Sequence, residues 1–412
     1  MCVCVCVSAN EWLQNAFGLN VDKDLITVKA RELPPPIVNY MKGSTFQAVA
    51  PDNGGWLMKG VKVCKAGPRI NAWTYLTIGD RQDGVKPSVL GFAKFLNSSM
   101  GIAIHATPSP PDGYENPNWN EEALRGAFKK IASQKPRPQL VLVVLPDKDS
   151  IRYNTVKRLG DVEFGITTVC VREEMLVADR GQAGLFANLG MKVNLKNGGV
   201  NHQVNHQAKD MTDLVAETMF VGYDVTHPTN LPSGAADNAP SIVGLVASID
   251  SNLAQWPAVA WDHTSRVEEV SDKDGTFILH FKDRLKLYQT HSKKLPRNIV
   301  IFRDGVSEGQ FKMVLEKELP NIRKACQEMY TDGPSQQPRV ALIVSVKRHQ
   351  TRFYPTDPNH IHPRSKSPKE GTVVDRGVTN VRYWDFFLQA HASLQGESFF
   401  RLPSPLSPKL TN

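Results

Sequence analysis

Two aspartates in this chain stand where a metal-dependent nuclease would need them. Asp224 is delivered by the run Met219-Phe220-Val221-Gly222-Tyr223-Asp224-Val225, and Asp304 follows a second apolar run, Asn298 to Phe302. Both runs have the length and composition of buried strands, so each aspartate is expected at a strand's carboxyl end. Hard cations such as Mg2+ or Mn2+ prefer carboxylate oxygens on rigid supports, and a two-metal centre holds its ions about 4 Å apart across a scissile phosphate. An aspartate before glycine, as in Asp304-Gly305, also commonly satisfies backbone amides at a strand-to-turn junction, so spacing alone leaves both roles open.

A second set of residues is basic and aromatic. Tyr153 and Lys157 stand four apart, as do Lys192 and Lys196. On a helix each pair would share a face. Ammonium groups converging near a helix start can hold a terminal phosphate, and a tyrosine ring offers the first base a stacking surface. The alternative is that each lysine is simply solvated. A third cluster, Lys347, Arg348, His349 and Arg352, follows the apolar run Ala341 to Val346. It suits sequence-independent contact with nucleic-acid phosphates, or a solvated strand end.

The elements that must position these groups are legible in hydrophobic patterning. Gln139 to Pro146 is a continuous apolar run ended by proline, as in a buried parallel strand. Trp119 to Ser133 places Leu124, Phe128 and Ile131 on one helix face. Tyr153 to Leu159 can start a helix, Gly165 to Val171 is β-rich, and Gln182 to Leu189 reads as a helix feeding a third strand. Strands alternating with helices predict a doubly wound α/β domain. Farther on, Ser241 to Ile249 is expected as a hairpin partner of the Asp224 strand, Phe281 to Tyr288 as a helix, and Ala341 to Val346 as another strand.

Punctuation sets the expected boundaries. Residues 1–10 read as a disordered leader, 11–75 as a linker region, 76–205 and 206–396 as domains, and the proline-serine stretch 397–412 as a disordered tail. The 412 residues carry 49 Lys and Arg against 41 acidic residues, a formal charge of +8 that suits a nucleic-acid binder and many other proteins as well. Six cysteines without a CxxC pattern fit reduced thiols, and MCVCVCV lacks the basic start of a secretory signal. No run reaches the ~18 apolar residues of a membrane span. A cytoplasmic or nuclear location is expected.

Tyr223-Asp224-Val225-Thr226-His227-Pro228 and Phe302-Arg303-Asp304-Gly305-Val306-Ser307-Glu308-Gly309-Gln310-Phe311 resemble, almost letter for letter, the two signature strands of the Argonaute PIWI domain. The similarity continues in order through Lys347-Arg348-His349-Gln350-Thr351-Arg352, Gly371-Thr372-Val373-Val374-Asp375 and Trp384-Asp385-Phe386-Phe387-Leu388-Gln389-Ala390-His391. It covers Glu11 to Gly396 in outline and is of eukaryotic, fungal-like type, without the family's amino-terminal and PAZ domains. The resemblance implies a doubly wound MID domain followed by an RNase H-like PIWI domain that is incomplete at its carboxyl end. It implies a small guide RNA and a target RNA as partners, further silencing-complex proteins, and no membrane.

By the same resemblance Asp224 and Asp304 hold the metal, and a glutamate between them joins the site, assigned to Glu269 with Glu268 as the alternative. Tyr153 would stack on the first base, Lys157, Lys192 and Lys196 would hold the 5′ phosphate, and Lys347, Arg348, His349 and Arg352 would follow the guide backbone. Two departures stand out. A pocket glutamine of the family is Val169 here, and beyond Gln395-Gly396 the segment that carries the family's fourth catalytic residue is replaced by the proline-serine tail, a role His391 does not fill. Poor cleavage or none is therefore expected, with an active Mg2+-dependent endoribonuclease as the alternative. A metabolic α/β enzyme with a phosphate-bearing ligand is a remote rival, and it lacks a glycine-rich phosphate loop.

Overall fold

The computed structural model describes residues 2–4, 16–18, 24–56, 58, 60–79, 83–116, 119–205, 209–229, 239–270, 275–331, 337–347, 349–380, 384–391 and 399–401. The chain divides into two compact units, one made of Ile37–Ala50 and Trp56–Asn205, the other of Met1–Pro36, Pro51–Gly55 and His206–Asn412.

In the first unit a parallel sheet runs in the order Tyr114–Asn116, Trp73–Ile78, Leu140–Leu145, Thr168–Arg172. All of Leu140–Leu145 is buried. Alternation sends its side chains to two cores: Leu140, Leu142 and Val144 meet Trp73, Tyr75, Phe92 and Phe186, while Val141, Val143 and Leu145 meet Leu76, Ile78, Phe128 and Val156. Helices on both faces explain why the strand is continuously apolar. Asn120 caps the helix Glu121–Ala132 by accepting from Ala123 N–H, and Asp149 caps Ser150–Lys157 by accepting from Ile151 and Arg152.

Two expectations change here. The strand Trp73–Ile78 crosses the boundary placed between residues 75 and 76; its Thr74 and Thr77 are buried despite their hydroxyls, which disguised it in the sequence. The helix Gln182–Lys196 does not feed a further strand of this sheet, because Gln203–Asn205 pairs with Ile37–Asn39 in a separate small sheet.

The second unit holds a sheet in the order Ala258–His263, Ser241–Ala247, Thr218–Thr226, Asn298–Asp304, Arg339–Ser345. The first three strands pair antiparallel and the last three parallel, the RNase H-like arrangement. Met219, Val221, Tyr223 and Val225, with Ile299 and Ile301, pack on helices Thr276–Ser292 and Leu319–Met329 through Phe281, Leu285, Ile322 and Ala325. Strand alternation then turns Asp224 and Asp304 to the opposite face and Arg303 toward the helices. The expected leader and tail are corrected in part: Cys2–Cys4 pairs with Arg352–Tyr354 and Ile26–Thr27, and Phe399–Arg401 pairs with Phe387–Gln389. Backbone pairing needs no particular side chain, so composition did not reveal these strands. Among the described residues no helix is long and apolar enough to cross a membrane.

Phe281 is fully buried between helix and sheet. Phe281→Ala should cost about 3–5 kcal/mol, read as a lowered urea midpoint of the second unit's transition.

Candidate nucleic-acid and metal sites

The acidic face begins with strand register. Tyr223 pairs with Arg303 on the adjacent parallel strand, so Asp224 and Asp304 follow side by side, on strands spaced about 4.8 Å apart. Asp224 Oδ1 accepts the N–H of Val225 at 2.8 Å, and Asp304 Oδ1 accepts that of Gly305 at 2.9 Å. The loop after Ala258–His263 brings Glu268 to this face: a Cβ added at Gly305 would lie 3.0 Å from Asp224 Oδ1 and 3.4 Å from Glu268 Oε1. Gly305 also has φ +88, so its position is doubly closed to larger residues. Glu269, the sequence-based choice, contributes its carbonyl, which accepts from His263 Nε2 at 2.8 Å. The carboxylate that the structure brings to this face is thus that of Glu268, the alternative. The helix starts only at Thr276, after Gly275 with φ +77, so the glutamates sit on an irregular loop where helical spacing gave no register.

Glu268 is held from three directions. His227 Nε2 lies 2.9 Å from its Oε2, and His227 Nδ1 lies 2.9 Å from Ser241 Oγ. An ionised carboxylate only accepts, so Nε2–H donates to Glu268, while Ser241 Oγ, against Nδ1, also accepts from Arg266 N–H at 2.9 Å. Arg303 Nη2 donates to the Glu268 carbonyl at 2.8 Å, and its Nη1 is 2.9 Å from Oε1.

Behind this face lies a buried network that the sequence did not announce. Arg303 and Glu318 are both fully buried, joined by Nε to Oε2 at 3.0 Å and Nη2 to Oε1 at 3.1 Å. Tyr223 donates to Glu318 Oε2 at 2.6 Å, and Val270 N–H to Oε1 at 2.9 Å. Burial works to lower the Arg303 pKa, but Glu318 outweighs it and the guanidinium stays charged. Burial, reinforced by the Glu318 charge, pushes Tyr223 well above its ordinary value, so it remains a donor. The signal available in sequence was the arginine one position before a strand-end aspartate, which alternation must point inward.

The donors on this face suit a hard cation. They are carboxylates, and among the described residues Glu268 Oε1 is buried without a hydrogen-bond partner, its contact with Arg303 being close but poorly aligned. As the side chains stand, no three His, Cys, Asp or Glu among the described residues are gathered tightly enough to hold an ion. Asp304 Oδ2 is paired with the ammonium of Lys347, and Glu268 with His227 and Arg303.

In the first unit the structure brings the phosphate candidates together. Tyr153 and Lys192 line a cavity of about 600 Å3 with Cys170, Arg172, Met175 and Leu189. Lys157 Nζ donates to Thr168 Oγ1 at 2.6 Å and pairs with Asp161 at 2.7 Å; Lys196 Nζ donates to the Thr168 carbonyl at 3.0 Å and stands 3.5 Å from Asp161. Burial pushes the Cys170 thiol up to about 11, against the positive charges of Lys157, Lys196 and Lys192. Burial pulls Lys157 down, yet Asp161 outweighs it and the net shift is upward; Lys196 is lowered by burial and by Lys157 beside it. Thr168 and Asp161 were missed as partners, although Lys157 and Asp161 stand at helical spacing. Val169 points into the core while Thr168 and Cys170 on either side face the lysines.

Of the basic cluster, Lys347, His349 and Arg352 lie among the described residues, each with partners of its own. Lys347 pairs with Asp304, His349 packs its ring 5.1 Å from that of Phe387, and Arg352 donates to the carbonyls of His349 and Thr351. Arg348 lies outside the described residues. The strand Arg339–Ser345 ends before Lys347, and Arg352 opens a further strand, Arg352–Tyr354.

Two expectations test this geometry. Glu318→Ala strands a buried guanidinium and should cost about 3–5 kcal/mol, measured by chemical denaturation against the parent chain. Burial tends to raise Asp161, but its hydrogen bonds from Lys157 and then Thr168 hold it below the ordinary value. Its stabilising contribution is therefore complete above the usual carboxylate range and is lost as pH falls through the lowered value. Asp161→Asn should flatten that acid-side loss in urea midpoints followed from neutral pH downward.

With the geometry in place, comparison with known proteins is direct. The Piwi domain family matches residues 140–399 and the Argonaute linker 2 domain matches residues 6–40. Protein argonaute 5 of Arabidopsis thaliana is 31% identical over 409 residues, covering 94% of this chain and 39% of the relative. Drosophila melanogaster argonaute-2 is 29% identical, covering 92% and 30%. The chain thus spans well under half the length of these relatives. The N. crassa QDE-2 AGO MID-PIWI crystal structure is similar at 43% identity and TM-score 0.59, over 69% of this chain and 76% of that one. Kluyveromyces polysporus Argonaute, solved with a guide RNA, shares the fold at 24% identity and TM-score 0.75, over 95% and 46%. A parallel-sheet unit with a lysine pocket, an RNase H-like unit with paired strand-end aspartates, and a Piwi match across more than half the sequence place this chain in the Argonaute family.

Proposed function

We propose that the chain binds the 5′-phosphorylated end of a small guide RNA, presents the guide for pairing with a target RNA, and acts in small-RNA-guided gene silencing. The observation that carries this reading is that Lys157 and Lys196 meet on Asp161 and Thr168, on the strand whose Cys170 lines one cavity with Tyr153 and Lys192. A dianionic terminal phosphate would take over the ammonium groups now shared with Asp161, and Tyr153 would offer its ring to the first base. Sequence specificity would come from base pairing, with the protein reading phosphates and helix shape. Solution of a structural relative with a guide RNA supports the assignment. Silencing-complex proteins would be further partners, in the cytoplasm or nucleus.

On the acidic face Asp224 and Asp304 would hold Mg2+ or Mn2+, with Glu268 adjacent. Such an ion, when bound, neutralises a phosphate and makes a water more acidic. Arg303 and His227 fix the Glu268 side chain, and Lys347 stands where an RNA phosphate could engage it.

Fluorescence titration with labelled single-stranded RNA tests the reading. A 5′-phosphorylated strand should bind more tightly than its 5′-hydroxyl counterpart, and Lys157→Ala should lose about 1.5–3 kcal/mol, roughly ten- to a hundredfold. Indifference to the terminal phosphate would defeat the proposal.

A further inference from the structure

Among the described residues the acidic face is met by two cations of opposite character, Arg303 and Lys347. Arg303 is fully buried, and its donors are taken up by Glu318, Glu268 and the Asp304 carbonyl, so it is part of the fold. Lys347 has a side chain 55% exposed and pairs with Asp304 Oδ2. Asp304 pairs with Ser345 on the parallel strand, and Lys347 lies two residues beyond the end of that strand, where its ammonium meets the Asp304 carboxylate.

We propose that Lys347 sets the metal affinity of the acidic site, its ammonium being a resident counter-ion on Asp304 that a divalent cation must displace and that a nearby RNA phosphate draws away. This rests on the reading of Asp224 and Asp304 as metal ligands. Of the two cations only Lys347 can leave cheaply, because it is solvent-facing on a flexible four-carbon stem while Arg303 would abandon a buried glutamate. A lysine released to phosphate no longer competes for Asp304, so metal and RNA each strengthen the binding of the other, as linkage requires. An exposed ion pair of this kind is worth little, so the competition amounts to roughly a two- to fivefold weakening of metal binding at low salt.

Mn2+ binding to the 412-residue chain, followed by electron paramagnetic resonance of the free ion, tests this without any cleavage assay. Lys347→Met should tighten Mn2+ binding by roughly two- to fivefold in the absence of RNA, and Lys347→Arg should stay close to the parent. Single-stranded 5′-phosphorylated RNA should tighten Mn2+ binding to the parent chain and have no such effect on Lys347→Met. Unchanged or weaker binding in Lys347→Met, or equal RNA enhancement in both proteins, overturns the proposal while Asp224→Asn and Asp304→Asn still weaken Mn2+. If those two aspartate variants bind Mn2+ as the parent does, the acidic-site reading itself falls and takes this proposal with it.

Discussion

A fully buried arginine salt-bridged to a fully buried glutamate is the constraint on which the acidic face depends. Arg303 precedes Asp304 on one strand, and alternation alone requires that one point to the helices if the other points away. Placing a guanidinium in a hydrophobic core is costly unless its donors are met, and here Glu318 and the Glu268 backbone meet them while Tyr223 donates to the same Glu318. A well-packed apolar replacement could serve stability as well. What the ion pair supplies is geometry: Val270 N–H bonds to Glu318 and the Glu268 carbonyl to Arg303, so an irregular loop is pinned to the strand end with its carboxylate beside Asp224.

Both candidate sites carry internal counter-ions. In the first unit Asp161 stands among the lysines, and in the second Lys347 stands on Asp304. Clustered like charges repel, and a compact fold tolerates them only when something of opposite sign is close. Ligand binding at such places is an exchange of partners, which favours a ligand of high charge over a weakly charged one. Thr168 makes the first cluster tighter than charge alone would, because its hydroxyl and carbonyl accept from both lysines while its side chain also bonds to Asp161. Gly160 permits that closeness, since a Cβ there would fall 2.3 Å from the Thr168 methyl group.

Much of this protein was determined by its sequence. Strand-length apolar runs fixed Leu140–Leu145, Thr218–Thr226 and Asn298–Asp304, and with them the strand ends that carry Asp224 and Asp304. Helical spacing placed Tyr153 with Lys157 on one helix, whereas only the structure carried the helix begun at Gln182 on through Lys192 and Lys196. These features were legible because they obey short periodicities and bury contiguous apolar surface. Tertiary structure decided the rest. It brought the Glu268 carboxylate to the acidic face from a loop with no periodicity, joined Arg303 to Glu318 across 15 residues of chain, and paired Cys2–Cys4 with a strand far along the chain. Long-range pairing depends on where folded elements bring backbone and charge into contact, and a linear pattern records neighbours along the chain but not neighbours across a core.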